Sequence, residues 1–83
     1  MTSRILVVDD DTALAEMIGI VLRTEGFDVS FCADGARAVE EWRTTRPDLV
    51  LLVFIFTRMA AYEICTRIRA ESGIPIIMLT ARS

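Results

Sequence analysis

The sequence predicts an α/β domain built on a parallel sheet, in the order β-α-β-α-β-α-β. Three observations carry this. Continuous apolar runs at 5–8, 49–56 and 74–79 have the length and the Val/Ile/Leu content of strands buried on both faces. Between the strands, apolar residues recur at helical spacing over stretches of about a dozen residues. Single Gly and Pro residues fall at regular intervals, so they separate elements and not domains.

The elements follow in order. Ile5, Leu6, Val7 and Val8 form the first strand, and Asp9, Asp10 and Asp11 end it. From Thr12, the stripe of Leu14, Met17, Ile18, Val21 and Leu22 predicts an amphipathic helix, with Gly26 as its C-terminal cap. Phe27, Val29 and Phe31 alternate as a second strand, and Asp34-Gly35 turns the chain. Ala38, Val39 and Trp42 mark a second helix that stops before Pro47. Residues 49–56 form the third strand. Ala61, Ile64, Cys65 and Ile68 give a third helical stripe closed by Ser72-Gly73, and residues 74–79 form a fourth strand with Pro75 near its start. Right-handed crossovers then place helices on both faces of the sheet, and ligands belong at the carboxyl ends of its strands. The residues that bear on function are therefore 9–12, 32–35, 53–59 and 80–83.

Composition narrows the chemistry. The chain has 83 residues, 53% of them hydrophobic, which suits one domain with a small core. Nine basic residues, all Arg, stand against twelve acidic ones for a net charge of -3, so a direct nucleic-acid partner is not expected. His and Lys are absent, which removes the commonest general base, Schiff-base chemistry and a Walker-type lysine. No catalytic residues are assigned, and an enzyme is not expected. The apolar run after Met1-Thr2-Ser3-Arg4 is too short for a signal core or a membrane span, so a cytoplasmic protein is expected. Cys32 and Cys65 then read as reduced small hydrophobes. Trp42 reads as packing, and Arg58, Arg67 and Arg69 as a solvated helix face.

Three consecutive carboxylates at the end of a buried strand repel one another. One reading makes Asp11 the cap of the following helix, with its neighbours as solvated turn residues. The other makes Asp9 and Asp10 hard oxygen ligands for Mg²⁺, which takes one or two carboxylates together with waters and a phosphate oxygen.

Four segments bear on the choice: Arg-Ile-Leu-Val-Val-Asp-Asp-Asp at 4–11, Arg-Pro-Asp-Leu-Val-Leu-Leu at 46–52, Glu-Ile-Cys-Thr-Arg-Ile-Arg at 63–69, and Ile-Pro-Ile-Ile-Met-Leu-Thr-Ala at 74–81. In sequence and order they closely resemble the receiver domain of bacterial two-component response regulators, above all the actinobacterial members that carry a winged-helix DNA-binding domain. The resemblance implies a flavodoxin-like fold with strand order 2-1-3-4-5 and a histidine kinase as partner. It also implies an acidic pair that holds Mg²⁺, an acceptor Asp at the end of the third strand, and a hydroxyl after the fourth strand that moves onto the phosphate. By position Asp9 and Asp10 match the metal pair and Thr80 the switch hydroxyl.

Departures at the acceptor position and its following loop, and in length, change what the resemblance carries over. The phosphoacceptor position is Val53, whose side chain has no nucleophilic atom, so no acyl phosphate forms there. The family's fifth strand, last helices and active-site Lys have no counterpart before Ser83, so the expected fold is truncated after the fourth strand, which becomes an edge. The loop after the acceptor, proline- and glycine-containing in the family, reads Phe54-Ile55-Phe56-Thr57-Arg58-Met59-Ala60-Ala61. This added apolar surface predicts self-association, with Phe54, Ile55, Phe56, Tyr62, Ile76 and Met78 at the interface, through pairing of the fourth strands or exchange of elements in a homodimer. So concentrated a change is also what redesign of a truncated domain leaves. On this reading Mg²⁺ is possible and no cofactor is required. The alternative is a degenerate regulatory receiver that retains Mg²⁺ or docks a histidine kinase.

Overall fold

A computed structural model describes residues 2–54 and 58–80 of the chain. The order is β1 (Arg4–Asp9), α1 (Thr12–Thr24), β2 (Asp28–Cys32), a short 3-10 turn (Gly35–Arg37), α2 (Ala38–Thr45), β3 (Leu49–Phe54), α3 (Arg58–Arg69) and β4 (Ile76–Thr80). The four strands form one parallel sheet in the order β2-β1-β3-β4. All four carboxyl ends therefore lie along one rim.

Local chemistry sets the ends of the elements. The Asp11 carboxylate accepts from the Leu14 N–H (3.1 Å) and caps α1, while Asp34 does the same for the 3-10 turn through the Ala36 N–H (2.9 Å). Past the end of α1, Gly26 takes φ +94°, a left-handed conformation in which a side chain would be strained. α2 ends on Arg46 at φ 49°, just before Pro47. The Arg4 N–H donates to the Asp48 carboxylate (2.8 Å) and the Asp48 N–H to the Arg4 carbonyl (2.8 Å), which ties the starts of β1 and β3 together.

Alternation along the strands divides the core between the two faces. Leu6, Val8, Val50 and Leu52 pack with Trp42 of α2 and with Ala61, Ile64 and Ile68 of α3. Ile5, Val7, Leu51 and Val53 pack beneath α1, with Ala15 and the half-buried Leu14, Ile18 and Leu22. Trp42 is a packing residue, as expected. Cys32 is buried, Cys65 is half-buried, and both are free thiols.

The structure differs from the expectation in two places, both on β4. β4 begins at Ile76 and not at residue 74, because the Ile74 N–H turns back to Ser72 Oγ (3.3 Å) and Pro75 has no N–H to give. β3 is described to Phe54, and Ile55 and Phe56 lie outside the described residues, as do the side chains of Phe54 and Thr80. Most consequentially, Ile76 and Met78 face inward, half-buried against the α2/α3 side of the core. The residues that β4 turns outward, on the face that α1 covers only in part, are Ile77 and Leu79, each 47% exposed. A period of two assigns opposite faces to neighbouring residues, so Ile76 and Met78, expected at an interface, lie on the face turned to the core. Tyr62 on α3 is exposed, as a surface aromatic should be.

Candidate functional site at the carboxyl ends of the strands

Asp9 ends β1 and is 2% exposed, the only buried charged residue among those described. Its Oδ1 accepts from the Asp11 N–H (2.9 Å), and its Oδ2 is buried with no hydrogen-bond partner among the described residues. An unsatisfied buried acceptor costs about 1–3 kcal/mol. Burial pushes the Asp9 carboxyl above its ordinary range; the Asp11 N–H opposes the shift, and the charges of Asp11 and Asp10 reinforce it. Asp10 is exposed. Asp11 serves as helix cap, so that reading of the acidic run holds for Asp11, while Asp9 is no solvated turn residue.

Val53 sits on the neighbouring strand as the register partner of Asp9, and is buried. One strand further on, its partner is Leu79, and the last pair of that ladder is Phe54 with Thr80. The backbone thus brings Asp9, Val53 and Thr80 to one rim of the sheet, as the sequence predicted. For the Mg²⁺ that the resemblance implies, Asp9 offers one unpartnered oxygen and Asp10 an exposed carboxylate, while the next strand presents an alkyl group. No group of three or more His, Cys, Asp or Glu side chains among the described residues is placed to hold a metal ion.

A groove of about 420 Å³ opens beside Asp9, between α1 and β2, lined by Thr12, Glu16, Ile20, Arg23 and Phe31. The Arg23 guanidinium lies 5.3 Å from the centre of the Phe31 ring, a cation–π contact. Gly19 makes this arrangement possible, since a Cβ there would fall 2.5 Å from Phe31 Cζ. Sequence reasoning missed this feature. The signal was a glycine in the middle of a strong helical pattern, which is costly unless something packs against it.

The family model for the response regulator receiver domain matches residues 5–83. The DNA-binding response regulator MtrA of Mycobacterium tuberculosis (strain ATCC 25618 / H37Rv) is 53% identical over 83 residues, which cover all of this chain and 36% of that protein. The chain therefore spans a little over a third of the length of the curated relative. Among solved structures, the chemotaxis response regulator CheY4 of Vibrio cholerae superposes with a TM-score of 0.88 at 27% identity, over 100% of this chain and 72% of that one. A chain from the complex of histidine kinase ThkA with response regulator protein TrrA gives a TM-score of 0.85 at 32% identity, again over 100% of this chain and 72% of that one. The fold is thus the flavodoxin-like receiver fold, with α/β crossovers around a parallel sheet. The chain belongs to the response regulator receiver domain family. Among the described residues, no helix is long and apolar enough to cross a membrane.

Proposed function

We propose that this chain is a phosphorylation-silent receiver module of the two-component phosphorelay family, which takes no phosphoryl group at Val53 and works by associating with a second copy of itself in the cytoplasm. The observation that carries the first half is the pairing of Asp9 with Val53 at the end of β3. A carboxylate there would be both the nucleophile and an additional oxygen donor for a cation, and an isopropyl group is neither. The buried oxygen of Asp9 accordingly has no described partner. Support for association comes from β4, where Ile77 and Leu79 stand half in solvent among the described residues. In this reading the chain is not an enzyme, needs no cofactor and does not touch nucleic acid directly.

A second reading keeps some regulatory chemistry: Asp9 and Asp10 still attract Mg²⁺, or a histidine kinase still docks. The unpartnered, buried Asp9 Oδ2 favours it, because a cation would satisfy that atom.

Incubation with acetyl phosphate and Mg²⁺, read by intact-protein mass spectrometry, tests the first reading. The native chain is expected to gain no phosphoryl group, and Val53→Asp to gain one that is lost in alkali. A phosphoryl group on the native chain would overturn it.

A further inference from the structure

We infer that the groove between α1 and β2 binds a small primary amine carried on an apolar body, with the ammonium on Asp9 Oδ2 and the body against Ile20 and Phe31. This goes beyond the phosphorylation-silent reading and does not depend on it, because neither β3 nor β4 contributes a residue to the walls.

The place of the groove in the fold matters first. Its residues fall between positions 9 and 33, on β1, α1 and β2 and just past β2, so in the order β2-β1-β3-β4 it lies at the β2 side of the sheet. In the family's strand order a fifth strand joins beyond β4, at the opposite side, and these walls stand without it.

Asp9 supplies the reason for a ligand. Alternation along β1 sends its side chain to the α1 face with Ile5 and Val7, and there it lines the groove. Oδ1 already accepts from the Asp11 N–H, which leaves Oδ2, buried and without a partner among the described residues, as the acceptor a ligand can satisfy. A charged donor does this best, since a buried carboxylate needs both a hydrogen bond and an opposite charge. Thr12 and Glu16, one turn apart on α1, add a hydroxyl and a second carboxylate to the lining. The guanidinium of Arg23, about two turns further along α1, is engaged on the Phe31 ring.

The walls decide between an organic cation and a metal ion. Mg²⁺ keeps several waters and asks for an octahedron of oxygens, whereas Ala15, Ile20 and Phe31 offer it none. A concave site of about 420 Å³ with polar groups beside an apolar wall suits a small organic molecule. Ile20 is 64% and Phe31 40% exposed, so both have apolar surface for that molecule to cover. An aromatic body also gives the Phe31 ring a partner.

The test is an amide NMR titration of the native chain, of Asp9→Asn and of Ile20→Lys with phenethylamine. Phenethyl alcohol, which has the shape without the charge, and methylammonium, which has the charge without the body, are the controls. Ile20 is exposed, so Ile20→Lys keeps the fold, which circular dichroism verifies, while it sets a like charge in the groove. Phenethylamine is expected to shift the amides of residues 15–23 and 31–33 of the native chain saturably. Both controls should bind at least about tenfold more weakly, and either substitution should weaken phenethylamine to a similar degree. Equal binding of the alcohol, or unchanged binding by Asp9→Asn, would overturn the role of Asp9. Shifts confined to residues 9–12 and matched by methylammonium would show attraction to the acidic run alone and overturn the groove. No saturable shift up to about 10 mM phenethylamine would overturn the inference outright.

Discussion

Asp9 and Val53 are paired residues of adjacent parallel strands, so a buried carboxyl and an isopropyl group lie side by side at the carboxyl rim of the sheet. The cost of the arrangement falls on Asp9, whose second oxygen has no described partner.

Placing a carboxylate at position 53 should hurt before it helps. Val53→Asp buries a second acid beside Asp9, and in metal-free buffer a loss of about 1–3 kcal/mol in urea unfolding is expected. Millimolar Mg²⁺ should recover part of that loss in the variant and leave the native chain unchanged, because only the variant has a third carboxylate for the ion.

Asp9 should also mark the pH profile. Its carboxyl lies above the ordinary range when folded, so the folded state holds the proton more tightly than the unfolded state. Stability therefore falls as pH rises from the unfolded value to the raised folded value, and above that the penalty is constant. Asp9→Asn removes the charge; it should be more stable than the native chain at neutral pH and lose this part of the slope. Thermal melts from pH 4 to 8 read both effects.

The ion pair between Arg43 of α2 and Glu71, which follows α3, has the opposite sign. The guanidinium lowers the Glu71 carboxyl, so the stabilisation is present above the unfolded value and is lost as pH falls through the lowered folded one. Both side chains are exposed, so Glu71→Gln should shift the melting temperature only slightly, and salt should erase the difference from the native chain.

Leu52 is fully buried with Trp42, Ile64 and Ile68 around it. Leu52→Ala should cost about 2–5 kcal/mol, enough to unfold much of so small a domain at 37 °C. Circular dichroism at that temperature checks it. Leu79→Ala, on the exposed face, should change the fold signal little.

The element order, the sheet direction and the rim carrying Asp9, Val53 and Thr80 were legible because buried parallel strands and amphipathic helices write their periods plainly, and Asp11 and Gly26 mark both ends of α1. The face of β4 was not legible. Residues 74–79 are apolar on both sides, so no alternation distinguishes Ile77 and Leu79 from Ile76 and Met78, and only the packing of α2 and α3 decides. The state of Asp9 was half legible: three adjacent acids announce a special site, but nothing local says that the first is buried while the third caps a helix. The contact of Arg23 with Phe31 across Gly19 joins residues of different elements, and sequence spacing carries no information on it.

The most direct test of a phosphorylation-silent site is an amide NMR titration of the native chain with Mg²⁺ and beryllofluoride, the phosphoryl mimic that adds to an acceptor carboxylate. Residues 9–12 and 53–54 should stay in place for the native chain and shift saturably for Val53→Asp. A saturable shift of those amides in the native chain would contradict the account.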